Sequence, residues 1–215
     1  MRRALSWALM LCATPLVAQV AAQDIAPDDV PRGVPDYHAA EAGTYRLDPT
    51  HTAVIARVPH MNFSISVFRF DVVSGQLEWN PQDLGAVRLV ADVDPASIST
   101  PVPGFAEALR GTDYLDTASH PTARFVADGF VADSPVQGRI SGQLTIMGQT
   151  HPATFDATLI GAGQGYTGDE NGNPIIRNLI GLSAETAIDP QQFGLNPFFT
   201  DPVVIQIDAE FARQD

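Results

Sequence analysis

From residue 44 onward the chain is a succession of short apolar runs punctuated by turn residues, a pattern of strands rather than helices. Runs at 53–58, 67–73, 76–79, 87–93, 123–130, 136–147, 154–160, 179–188 and 203–211 all read as strands. The last is the clearest. Val203, Ile205, Ile207, Ala209 and Phe211 fall on one face, and Gln206, Asp208 and Glu210 on the other, as the two-residue period of a half-buried strand requires. Gly75, Asn80-Pro81, Gly148, Asp189-Pro190 and the glycine-rich stretch 161–173 interrupt the runs, and the glycine-rich stretch reads as a flexible hairpin loop. One segment has helical spacing: over 101–110, Phe105, Ala108 and Leu109 share a side, and Gly111 stands as the stop. Nothing repeats at a fixed period, which excludes a propeller or solenoid. The pattern predicts an all-β fold of about eight antiparallel strands with one short helix, closed as a barrel or paired as a sandwich.

The segment before residue 44 reads differently. Arg2 and Arg3 precede an apolar stretch over 5–17, and Val20-Ala21-Ala22 offers a cleavage site before Gln23. Residues 1–22 are therefore expected to be a signal peptide for the general secretory route, and the mature protein to be periplasmic in a host with two membranes. Leu11 before Cys12 does not suit a lipoprotein. Residues 23–43 are rich in Asp, Pro and Ala and read as a flexible acidic lead-in to one domain over 44–213. Cys12 is the sole cysteine, so the mature protein should contain no disulfide and must rely on a packed core. The formal net charge is −13, and loss of Arg2 and Arg3 makes it −15; every basic residue is Arg. That balance repels nucleic acid and anionic membrane surfaces.

Candidate catalytic motifs are weak. Gly161-Ala162-Gly163-Gln164-Gly165 is followed by turn residues, not by the helix N-terminus a phosphate loop needs. Asp169-Glu170-Asn171-Gly172-Asn173 alternates oxygen side chains, but Pro174 and Ile180 stand where a calcium loop requires Gly and Glu. Gly181-Leu182-Ser183-Ala184-Glu185 lacks the closing Gly of a hydrolase elbow. His38, His51, His60, His120 and His151 never take the close spacing of a helical zinc pair, although strand pairing could bring His51, His60 and a carboxylate together. No catalytic residues and no metal set are expected.

Taken in order, a set of residues forms a recognisable series. Tyr45-x-x-Asp48-x-x-His51 opens the domain, and His60 and Ser64 follow. Next come Leu109-Arg110-x-x-Asp113-Tyr114-Leu115-Asp116, then His120-Pro121 and Phe125. Gly142-x-Leu144-Thr145-x-x-Gly148-x-Thr150-His151-Pro152, Phe193-Gly194, Asp201 and Glu210 complete it. The chain resembles the YceI-like family of periplasmic polyisoprenoid-binding proteins over roughly residues 44–211. Three positions depart from that family's pattern: Phe68 where a Gly is usual, no basic residue ahead of Phe193-Gly194, and Thr200 in place of a Gly.

The resemblance implies an extended, lipocalin-like antiparallel barrel whose interior takes an isoprenoid chain or a similar amphiphile. Phe63, Phe68, Phe70, Phe125 and Phe193, together with His60, Leu109, Arg110 and Tyr114, are the residues expected at the ligand site. Arg110 is the candidate for a phosphate head, its plainer alternative being an ion pair with Asp113 or Asp116. The expected function is to bind, carry or sequester a quinone or polyprenyl phosphate, with no obligatory cofactor and no enzyme activity. The alternative is a metal- or small-molecule-dependent periplasmic enzyme with the cavity as active site. Whether the chain forms a homodimer, or touches a membrane redox protein in passing, stays open. Burial contributes about 0.8 kcal/mol per CH₂, so ten to fifteen enclosed carbons would yield roughly 8–12 kcal/mol before association costs.

Overall fold

A computed structural model describes residues 30–168, 171 and 173–214. The expected signal peptide, with Cys12 and the cleavage site, and most of the acidic stretch at 169–173 lie outside the described residues.

Eleven strands form one antiparallel sheet that closes on itself. They are β1 (Gly43–Leu47), β2 (Ala53–His60), β3 (Ser64–Phe70), β4 (Val73–Trp79), β5 (Arg88–Val93), β6 (Ile98–Ser99), β7 (Ala123–Ala132), β8 (Gln137–Ile146), β9 (Gln149–Gly168), β10 (Pro174–Ile188) and β11 (Val203–Arg213). The chain makes eight walls of them, because three pairs are single strands bent in the middle. β1 pairs with the C-terminal part of β11 (Leu47 opposite Phe211), and β2 with its N-terminal part (Val204 opposite Arg57). β3 and β4 likewise follow β2 and β1, while β5 and β6 follow β4 and β3. The remaining walls are β7 to β11, and the β1–β11 pairing completes the barrel.

Two of these bends share one chemistry. At Asp48-Pro49 and Asp94-Pro95 the carboxylate accepts the amide hydrogen two residues on, at 2.8 Å in each case. Proline supplies the φ of the first turn residue and needs no donor there. Asp189-Pro190 repeats the device after β10, at 3.0 Å to Gln191.

The helix α1 spans Phe105–Arg110, shorter than predicted, because Gly104 takes a left-handed φ of 75° and starts it late. Leu109 is buried, and the Phe105 ring packs 6.0 Å from that of Phe68, so α1 covers the end of the barrel where β6 and β7 do not pair.

Two expectations are corrected. The glycine-rich stretch is no loop: β9 runs through Gly161–Gly168, paired with β10 back to Pro174 across a register shift at Gly181/Leu182. Nor is the lead-in loose up to Gly43. Val34 exchanges backbone hydrogen bonds with Ala162 (2.9 Å each way), and Ala40 is 0% exposed. The two findings have one cause. A Cβ at Gly161 would lie 3.2 Å from Gly33 Cα, so the bare backbone of β9 lets the incoming segment lie directly on it.

Candidate functional site

Alternation along the strands sends Val54 and Ala56 of β2, Leu144 of β8, and Ile205 and Ile207 of β11 into the barrel, where they enclose a cavity of about 220 Å³. Its surface is almost wholly carbon. Leu109 of α1, with Tyr114 and Leu115 from the turn after it, forms one end, and the Leu115 amide donates to the Leu109 carbonyl at 3.1 Å. Phe199 closes over Tyr114, ring centroids 6.0 Å apart, on a loop pinned by Asn196 Nδ2 donating to the Asp113 carbonyl at 2.9 Å. A second cavity of about 90 Å³ lies toward the opposite end of the barrel, bordered by Tyr37 and Trp79. Leu89, Ile140, Leu182 and Phe211 line both cavities, so these four side chains form the partition.

Of the nine residues expected at the site, five line the larger cavity: Phe68, Phe70, Leu109, Tyr114 and Phe125. The other four do not. His60 and Phe63 stand at the tip of the β2–β3 hairpin, where Phe63 is 87% exposed. Phe193 is 3% exposed and packs edge-on against His151, centroids 5.1 Å apart, in the core beside the cavity. Arg110 turns away: its Nη2 donates to the Ile98 carbonyl at 3.2 Å instead of pairing with Asp113 or Asp116, and its buried Nε has no hydrogen-bond partner.

Much of the wall is aliphatic and was not singled out by residue type. Its signal was the alternation, visible for Ile205, Ile207, Ala209 and Phe211 on one face of β11. The partition residues had no such signal, because which inward side chains meet across a barrel depends on register.

The wall is chemically quiet. Arg124 borders it, but its guanidinium is held by Asp92 through hydrogen bonds of 2.7 and 2.8 Å. Tyr114 and His120 are the other titratable side chains at the cavity, and among the described residues no carboxylate or hydroxyl is hydrogen-bonded to either. Such a surface suits a hydrocarbon. The histidine grouping foreseen for His51 also changes, for strand pairing sets it beside Asp48 and Glu210 rather than His60.

Comparisons with known proteins follow the same fold. A UPF0312 protein of Vibrio cholerae is 28% identical over 159 residues, covering 73% of this chain and 80% of its own. A UPF0312 protein of Pseudomonas putida is 26% identical over 158 residues, covering 73% and 78%. Among solved structures, Burkholderia cenocepacia BcnA superposes with a TM-score of 0.61 at 20% identity, over 78% of this chain and 99% of its own. A polyisoprenoid binding domain from Saccharophagus degradans, implicated in plant cell wall breakdown, superposes at 0.55 with 14% identity, over 81% and 100%. The YceI-like domain family matches residues 45–211, from Tyr45 on β1 to Phe211 on β11, and the chain belongs to that family.

Proposed function

We propose that this protein binds the hydrocarbon chain of a polyisoprenoid lipid, or of a similarly long amphiphile, inside its barrel. It carries or sequesters that lipid in the periplasm, as a binding protein and not an enzyme. The observation that carries this reading is the cavity inside the barrel with its almost wholly carbon surface. The Saccharophagus degradans neighbour, described as polyisoprenoid binding, supports the same ligand class.

Volume limits the ligand. A dry apolar cavity of ~150 Å³ holds benzene, so about 220 Å³ takes roughly nine carbons. Nine carbons contribute about 7 kcal/mol before association costs, whereas micromolar affinity needs about 8 kcal/mol net. A tight ligand must therefore extend past the larger cavity, either across the partition or out of the barrel. A chain of isoprene units has that length and bends at each unsaturated joint.

A neutral head is favoured. Arg110 is tethered to Ile98 and does not line the cavity, and a net charge of −13 disfavours an anionic phosphate. We therefore assign a quinone-like head ahead of a polyprenyl phosphate. Mass spectrometry of an organic extract of the protein, purified from its own host, should reveal an isoprenoid-tailed compound. Absence of any lipid, together with no saturable binding of added prenols or quinones, would overturn the reading.

A further inference from the structure

Outside the cavity, the bend between β1 and β2 gathers three side chains that the lipid reading does not use. Asp48 begins the turn and His51 ends it, while Glu210 projects from the outer face of β11 beneath them. The Asp48 amide donates to the Glu210 carbonyl at 2.8 Å, and Thr52 Oγ1 donates to the Asp48 carbonyl at 2.7 Å, so the backbone carrying all three is fixed.

Their polar atoms are unevenly satisfied. Asp48 Oδ1 accepts from the Thr50 amide at 2.8 Å, which aims Oδ2 at His51 Nδ1, 3.0 Å away. Nδ1 carries at most one hydrogen, and that contact uses it. Glu210 Oε1, 3.7 Å from the same Nδ1, is buried and without a hydrogen-bond partner. That 3.7 Å ion-pair contact is too long for a hydrogen bond, and a carboxylate oxygen kept from water without one is costly, the more so near a second carboxylate. Burial accordingly pushes the Glu210 carboxyl above its ordinary range.

One ion would satisfy all three groups. The candidate ligand atoms lie within 4.8 Å of one another. Around a tetrahedral Zn²⁺ with bonds of about 2.0–2.2 Å, ligand atoms are about 3.3–3.6 Å apart, between the 3.0 and 3.7 Å found at His51 Nδ1. We propose that Asp48 Oδ2, His51 Nδ1 and Glu210 Oε1 form a zinc site on the outer wall of the barrel, clamping the bend of the β1–β2 strand to β11. Three protein ligands leave a fourth position for water, and the exposed ring of His51 leaves the site open to ions from solution. The Thr50 amide acts as the outer partner that orients Asp48. The inference does not rest on the lipid reading.

The test uses the exported, purified chain, stripped with a chelator and freed of it, then titrated with ZnCl₂ by calorimetry and followed by thermal melting. One equivalent of zinc should bind and raise the melting temperature. His51→Ala and Glu210→Gln should each weaken that event by at least the ~10–100-fold that loss of an outer-shell partner already causes. Each variant should keep the wild-type far-ultraviolet circular dichroism. His38→Ala removes an exposed histidine that is bonded to Asp36 at 2.8 Å, and zinc binding should be unchanged. No saturable one-equivalent event, or wild-type affinity in both His51→Ala and Glu210→Gln, overturns the proposal.

Discussion

Phe125 on β7 meets Phe155 on β9 edge to face, ring centroids 5.0 Å apart and planes at 70°, and both rings line the larger cavity. The pair is at once core and ligand wall, since the two residues are 8% and 3% exposed. Phe125→Ala should cost about 3–5 kcal/mol, the usual range for deleting a buried ring, of which about 0.5–1.5 is the aromatic contact itself. Urea denaturation measures the loss, and a saturating prenol should restore part of it by binding the native state alone. A loss below about 1 kcal/mol would mean that the pair contributes little to the core.

Tyr45 should govern the alkaline limit of stability. Its side chain is wholly buried, its hydroxyl donates to the Glu41 carbonyl at 2.7 Å, and burial pushes its pKa up to about 12 from 10. A group with a raised folded pKa contributes stability that is complete below its unfolded value and lost as pH rises through the folded one. Between pH 10 and about 12 the unfolded chain therefore ionises this phenol while the folded chain resists. Tyr45→Phe should lose about 1 kcal/mol at neutral pH, from the missing hydrogen bond. Its stability should then fall less steeply than wild type across that alkaline window. Parallel urea midpoints for the two proteins would assign the alkaline loss elsewhere.

What was legible in the sequence was whatever one strand can announce by itself. The alternation of β11 fixed its inward face, Gly111 marked the end of α1, and Asp189-Pro190 marked a turn. Features that depend on a second segment were hidden. β1 is five residues long, with Tyr45 and Leu47 turned inward around Arg46, too short to stand out as a period. Residues 161–168 read as a loop because glycine usually breaks strands, yet here it makes room for Gly33 to cross. Arg110 looked like a head-group ligand beside Asp113 and Tyr114, and only the β6 backbone reveals its partner, Ile98. Five of the nine expected site residues do reach the cavity wall, because large apolar side chains on inward positions have nowhere else to go.

Gly142 on β8 should tolerate no side chain. A Cβ there would lie 2.2 Å from the Val126 carbonyl oxygen and 2.7 Å from Ala127 Cα, both backbone atoms that cannot swing aside. The β7–β8 ladder already shifts register between Ala127 and Gly129, so the strand pair would have to open at its weakest point. Gly142→Ala should cost more than about 3 kcal/mol, beyond the ~1–3 of ordinary overpacking. Gly129→Ala is the matched control, for its nearest neighbour would be Ser141 Cβ at 3.9 Å, and it should stay within about 0.5 kcal/mol. Urea midpoints that move equally for both would refute the clash.

Leu182 decides whether the two cavities act as one. It stands opposite Leu159 on β9 and borders both spaces with Leu89, Ile140 and Phe211. Leu182→Trp would thicken the partition at an overpacking cost of about 1–3 kcal/mol. A prenol of about ten carbons already fills the larger cavity without crossing the partition, so its affinity should change little. By the same benzene scale, the 90 Å³ cavity takes roughly four more carbons, worth about 3 kcal/mol at 0.8 per CH₂. A twenty-carbon prenol threaded across the partition should therefore lose about 100-fold in affinity on the substitution. Fluorescence displacement with the two chain lengths makes the comparison. Equal loss for both would show that Trp simply fills the larger cavity. No loss for the long chain would mean that it leaves by the α1 end without entering the second cavity.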